Sequence, residues 1–401
     1  MEEIDLLIEK AVFEDKSYQR KIIEAAEANG VTFSSIQRLY NSMGRGDISG
    51  FTVPAINIRG LTYDVAQVIF RVAQKLNSGA FIFEIARSEI GYTDQRPLEY
   101  SACIAAAALK TDYRGPVFIQ GDHFQVNVKN PEKDLSAIKE LIKESVDANF
   151  FNIDIDASTV VDISKEDLKE QQFKNSKITA ELTKFIREIE PKEISIGGEI
   201  GEVGGRNSTP EDLRIFMELY LSMINNNKGL SKISVQTGTS HGGVVMPDGS
   251  IAKVKIDFDV LKKLSEIARK EFGMAGAVQH GASTLPEEYF DTFPKVNTAE
   301  IHLATGFQNI IYDNIPSSFK KYIYDFVKEN FAKEWKRDRE NEEQFIYKTR
   351  KKAFGPLKKE WWNLSKENKN TIMLNLERKF ELIFTKLKVT DTKDIVDNII
   401  L

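Results

Sequence analysis

The chain has 401 residues, 41% of them apolar and 29% charged, and a formal net charge of −5. That length suits one large catalytic domain with additions, or two domains, and the apolar share is enough for a substantial core. A charge this close to balance, with no long basic tract, argues against nucleic acid as a partner, and no apolar run of about eighteen residues marks a membrane span.

The first residues, MEEIDLLIEK, are acidic and predict no secretory signal. Residues 1–50 form an N-terminal helical segment, with Ile4, Leu7, Ile8 and Ala11 on one face, expected to plug the bottom of the next domain or pack on its side. From 51 to 315 short apolar runs alternate with amphipathic segments. Eight runs read as strands: 52–57, 80–85, 116–120, 151–155, 193–199, 232–236, 275–279 and 299–303. Helical faces lie between them, as in 134–148 and 176–190. In 209–225, Thr209 suits an N-cap, Pro210 the first helical position, and Glu211 and Asp212 the helix dipole. Eight strands with interleaved helices over about 260 residues match a (β/α)8 TIM barrel of the α/β class. The runner-up, an open doubly wound sheet, lacks a Gly-rich phosphate turn after its first strand, where the chain reads NIRGLTYD. Residues 316–401 form a helical C-terminal extension with anchors such as Phe319, Tyr322, Ile323 and Phe326, a break at Gly355-Pro356, and Trp361-Trp362 beyond it. It is expected to pack against the barrel or a second subunit. The single Cys103 leaves no intrachain disulfide and fits a reducing, cytoplasmic setting.

Three of the four histidines follow candidate strands three, six and seven: His123 in GDH, His241 in SHGG and His280 in HGAST. Chemistry in α/β barrels gathers beyond the C-terminal strand ends, and three imidazoles there can hold a divalent metal and leave a position open for substrate. Each alone also reads as a capped loop or a hydrogen-bonded core residue; the shared register favours a site. Asp122 precedes the first of them and can face substrate. Glu199 ends the fifth strand and is followed by Ile200, Gly201 and Glu202 in a Gly-rich loop. Asp154 and Asp156 share one face of the fourth strand, and Asp156 can orient a ligand imidazole. Gly242, Gly243 and Gly281, with Ser283, offer backbone amides and a hydroxyl to an anion. Asn57 and Glu84 end the first two strands. His302, on the last strand, reads as a rim or substrate residue or as core, and Thr305 follows it.

These motifs resemble the class II aldolase superfamily from about Phe51 to Thr305. VPAIN is similar to its first strand, GDH to its third, EIGEVGG to its fifth, SHGG to its sixth and HGAS to its HGGS phosphate loop. The resemblance implies Zn2+ or another divalent metal on His123, His241 and His280. It implies Asp122 as the group that moves the proton of the scissile hydroxyl, and Glu199 close to the metal. A sugar phosphate is the implied substrate, its phosphate held by Gly242, Gly281 and Ser283, and relatives imply a homo-oligomer. The family's acidic mobile loop has no clear owner here, where Arg206-Asn207-Ser208 stands; Glu202 and Glu211 are the candidate replacements, and Glu202 is taken as the catalytic one. The family's NIDT strand reads HLAT, which keeps only Thr305. FIFEIARSEIGYTD and IDIDAS also resemble the Z-type subunit of tagatose-bisphosphate aldolase. Cleavage of fructose 1,6-bisphosphate is the implied reaction. A metal-dependent sugar or sugar-phosphate epimerase and a non-catalytic aldolase partner subunit are the alternatives. For a second phosphate, Arg59, Arg87 and Arg206 are candidates by position.

Overall fold

The computed structural model describes residues 2–127, 129–190, 193–201, 206–225, 228–238 and 256–401. His241, Gly242, Gly243 and Glu202 lie outside the described residues.

Nine parallel strands occur among the described residues: β1 (Val31–Phe33), β2 (Val53–Asn57), β3 (Ile82–Ala86), β4 (Gly115–Gln125), β5 (Asn152–Asp156), β6 (Ser195–Glu199), β7 (Lys232–Val235), β8 (Ala277–Gln279) and β9 (Glu300–Leu303). Strands β2 to β9 pair in the order 4-3-2-9-8-7-6-5, and β5 returns to β4. That closes an eight-stranded barrel with helices between its strands, the predicted (β/α)8 architecture. Every residue of β2, β3, β5 and β6 is buried, which is why these runs read as continuous rather than alternating. Helices Pro131–Asp147, Leu168–Ile189 and Pro210–Met223 fall where the amphipathic faces predict them. Thr209 caps the last of these: its hydroxyl accepts from the Asp212 amide at 3.1 Å, and the Asp212 carboxylate accepts from the Thr209 amide at 2.9 Å.

The N-terminal residues fold into helices Glu2–Phe13, Ser17–Ala28 and Gln37–Arg45, interrupted by β1, which pairs with the start of β4. Three residues are too few for a periodic signal, so β1 was not legible in the sequence. Helix Gln37–Arg45 carries Tyr40, fully buried, whose hydroxyl donates to Glu300 at the start of β9. The N-terminal segment thus closes the barrel from its strand N-termini. At the other end of the chain, helix Lys366–Lys386 packs on helix Thr62–Lys75, and buried Trp361 gathers Phe319, Phe354 and Tyr312 at ring separations of 4.9, 4.8 and 5.5 Å.

Strand β4 departs from the expected 116–120 in a way that matters. It runs on to Gln125, so Asp122 and His123 lie within it rather than past its end. Between the pairs Gly121↔Ile153 and Phe124↔Ile155 it carries one residue more than β5. This β-bulge breaks the alternation that would send Asp122 and His123 to opposite faces. His123 adopts a φ of 40°, a left-handed value uncommon for a residue with a side chain. Phe124 tucks its ring under the bulge against Gly121, where an added Cβ would lie 2.5 Å from the ring. Gly121→Ala is therefore expected to lower stability by about 2 kcal/mol through overpacking; a denaturant midpoint unchanged from wild type would contradict this account of the bulge.

Candidate active site

The bulge, the ends of β2 and β3, His302 of β9 and the segments just past β8 and β9 surround one cavity of about 760 Å3 at the strand C-termini. Asn57, Glu84, Asp122, His123, His280, Gly281, Ser283, His302 and Thr305, all drawn from the sequence reading, line it.

Two of the three predicted imidazole ligands meet there. The rings of His123 and His280 lie 4.2 Å apart between centroids. His123 Nδ1 is 2.9 Å from Asp156 Oδ2 and 3.2 Å from Glu199 Oε2. A carboxylate on one ring nitrogen fixes the tautomer and directs the other nitrogen, here Nε2, to a metal. His280 Nε2 sits 2.9 Å from Ser234 Oγ. Ligand atoms of His123, His280 and Glu199 all lie within 4.8 Å of one another. Clustered imidazoles with carboxylates against them suit a divalent cation, and these residues fit one. Burial first, then the neighbouring Asp156 charge, pushes the Glu199 carboxyl up to about 7, opposed by His123. Added positive charge between these groups would relieve that crowding.

Ser283 follows Gly281, whose φ of 69° is a left-handed turn that glycine adopts without strain, and a short 3₁₀ turn, Ala282–Thr284, comes next. Arg59 reaches the cavity from beyond β2. Its Nε lies 2.7 Å from Glu89 Oε1, and its Nη1 donates to Gln308 Oε1 at 2.9 Å and to Thr305 Oγ1 at 3.4 Å. Asn57 shares Glu89 as a partner. Of the other arginines considered, Arg87 is committed to Asp134 at 2.7 Å and Arg206 to Asp212 at 2.7 Å. Lys351, from the C-terminal extension, lines the cavity and was not singled out in the sequence. Burial, then Arg59, holds its ammonium below the usual lysine value.

His302 is set deeper than the rim position considered for it and is 5% exposed. Its Nδ1 lies 3.1 Å from Glu84 Oε2 and 3.2 Å from Asp122 Oδ1, and its Nε2 lies 2.6 Å from Glu300 Oε1. Beneath it Lys232 contacts Glu300 Oε1 at 2.6 Å and Asp154 Oδ2 at 2.9 Å. Gln120 joins this layer, donating to Glu300 at 2.8 Å and to Glu84 at 3.0 Å. Barrel interiors are usually filled by branched apolar side chains; here one level is ionic. Glu84 is held above the usual carboxylate value by burial, against the nearby His302. Burial also opposes the charges of Lys232 and Glu300, yet Lys232 stays above the usual ammonium value beside Asp154 and Glu300, and Glu300 falls to about 2 beside Lys232. No lysine stands among residues 236–238, just past the sixth barrel strand, but Lys232 begins that strand. Its ammonium is the countercharge of a buried ionic layer rather than a nucleophile. The signal was present: Lys232 and Ser234, like Glu300 and His302, stand two residues apart and so share a strand face.

A closed parallel barrel with imidazoles and carboxylates gathered at the strand C-terminal mouth is the arrangement of a barrel enzyme. The sequence pattern of the class-II fructose-bisphosphate aldolases matches residues 40–367, and the chain belongs to that family of carbon–carbon lyases. A search of curated proteins finds no direct match. Among solved structures, a chain described as a fructose-1,6-biphosphate aldolase from Coccidioides immitis is 18% identical, with TM-score 0.51, covering 89% of this chain and 97% of that one. Fructose-bisphosphate aldolase from Campylobacter jejuni is 16% identical, with TM-score 0.53 and coverage of 90% and 96%. A chain described as a tagatose 6 phosphate kinase from Sinorhizobium meliloti is 14% identical, with TM-score 0.56 and coverage of 86% and 93%. At these identities the likeness is one of fold.

The contact between Asp156 and His123 predicts that Asp156→Asn keeps the fold but weakens zinc binding about 10- to 100-fold. A competition titration with a zinc chelator measures it; unchanged affinity would remove Asp156 from the site.

Proposed function

We propose that this chain is a zinc-dependent aldolase that cleaves and forms a ketose bisphosphate, most simply fructose 1,6-bisphosphate to dihydroxyacetone phosphate and glyceraldehyde 3-phosphate. What carries the reading is the meeting of His123 and His280 at 4.2 Å, braced by Asp156 and Glu199, beside Asp122 in one cavity. His241, in the same register after its strand, is the third proposed ligand, and Glu202 the proposed acid of the neighbouring loop. A divalent metal in this site supplies Lewis-acid polarisation of the substrate carbonyl and stabilises the negative charge left when the carbon–carbon bond breaks.

The chain's own groups do the rest. Asp122 accepts the C4 hydroxyl proton as the C3–C4 bond breaks and returns it during condensation. Asp156 and Glu199 hold the His123 ring in one orientation. Gly242, Gly243 and Gly281 offer amides, and Ser283 its hydroxyl, to the phosphate nearest the metal donors. Asn57 and Thr305 line the remainder of the substrate's path, with His302 set behind Asp122. Lys351 and Arg59, the latter paired with Glu89, are the cations proposed to face a second anionic group of the substrate in the same cavity. No helix among the described residues is long and apolar enough to cross a membrane. A homo-oligomer in a reducing cytoplasm completes the proposal.

The test is aldol cleavage of fructose and tagatose 1,6-bisphosphates, read as triose phosphate. Activity is expected to vanish with chelator and return with zinc, and His280→Ala is expected to lose bound metal and at least 10³-fold in kcat together. Cleavage that survives full metal removal would contradict the proposal. Interconversion of ketose stereoisomers without triose phosphate would replace it with an epimerase.

A further inference from the structure

The ionic layer beneath the site is not consumed by the proposed reaction, yet it touches the group that moves the proton. We propose that His302 is a positioning residue for Asp122, held from below by Glu300 and Lys232. The inference rests on the reading of Asp122 as the proton carrier.

The geometry links four residues in a column along the barrel. Lys232 Nζ contacts Glu300 Oε1 at 2.6 Å, Asp154 Oδ2 at 2.9 Å and Gln120 Oε1 at 2.6 Å. Tyr40 donates its hydroxyl to the other Glu300 oxygen, Oε2. Glu300 is thus fixed at both oxygens by groups from β7 and from the helix that closes the barrel. Glu300 Oε1 in turn faces His302 Nε2 at 2.6 Å. The opposite ring nitrogen is shared by Glu84 Oε2 at 3.1 Å and Asp122 Oδ1 at 3.2 Å, and one face of the ring lies against His280 at 4.1 Å. These are close charge contacts rather than aligned hydrogen bonds, but a buried imidazole with a carboxylate oxygen within 3.2 Å of each nitrogen and a tilted ring 4.1 Å away has little room to turn.

Asp122 needs such a support because of where it stands. It occupies the β4 bulge, where regular strand pairing does not dictate side-chain direction. The His302 ring stands 3.2 Å from one of its oxygens, an ion-pair contact that restricts where the carboxylate can sit. Four carboxylates (Glu84, Asp122, Asp154 and Glu300) meet around Lys232 and His302, so removing either nitrogen-bearing side chain leaves buried acids facing one another. A proton carrier displaced by about 1 Å loses on the order of 10²-fold in rate, although nothing that binds substrate has changed.

Crystal structures of wild type, His302→Leu and Glu300→Gln, each with zinc, give a readout that does not depend on turnover. The expected result is an altered Asp122 side-chain rotamer in both variants, with the His123 and His280 rings unmoved. Kinetics should follow: kcat about 100-fold lower in His302→Leu, KM within about threefold of wild type, and zinc content unchanged. His302→Gln, which keeps a donor, should recover part of the loss. Combining His302→Leu with Lys232→Met should lower kcat little further, because the two act through one column. If His302→Leu does not fold, Glu300→Gln decides the matter by itself. An Asp122 carboxylate that keeps its wild-type rotamer overturns the inference. A wild type that cleaves no ketose bisphosphate would instead overturn the proposed function, and the Asp122 rotamer would still judge the column.

Discussion

The extra residue in β4 is the constraint on which the site depends. Strand geometry alternates side chains between two faces, and neighbouring residues cannot ordinarily both point to one cavity. At Asp122 and His123 the register slips by one residue, and both line the same mouth. The φ of 40° at His123 is the local strain of that solution, and the close packing of Phe124 on Gly121 holds it. A carboxylate and an imidazole are thereby placed side by side without a loop between them.

The remainder of the barrel supplies what the bulge lacks. Asp156 from β5 and Glu199 from β6 brace His123, and Ser234 from β7 braces His280. These are short side chains on rigid strands, so the donor positions inherit the stiffness of the sheet. Below them the barrel uses ion pairs where hydrophobic layers are usual. Buried pairs contribute little net stability compared with apolar packing, but a broken pair leaves an expensive unpaired charge. The layer therefore specifies an arrangement more than it strengthens the fold, and it extends from Tyr40 at one end of the barrel to Asp122 at the other.

Much of this was legible in the sequence. Eight buried parallel strands announce themselves as apolar runs between amphipathic segments, and seven of the eight end within two residues of their expected limits. Histidines and carboxylates placed after those runs point to the mouth, and Asp156, nearest the strand end on the face it shares with Asp154, reads as a loop cap or as a partner for a ligand ring; it lies 2.9 Å from His123. Three things were not legible. The bulge adds one residue that no local preference marks, so β4 continued through Asp122 and His123 rather than stopping before them. Strand β1 is too short for periodicity. The partners of Lys232 and Glu300 come from strands far apart in the chain, and pairing across a closed barrel is a tertiary fact that no window of sequence contains. Lys351 belongs to the same class: its place at the cavity follows from how the C-terminal extension packs back onto the barrel.

The central claim is that one cation belongs between the rings of His123 and His280. Diffraction at the zinc absorption edge from zinc-soaked crystals tests it most directly. The account predicts a single strong anomalous peak at about 2 Å from one nitrogen of each ring. Crystals fully exposed to zinc that show no peak there, or a peak elsewhere in the barrel, would contradict it.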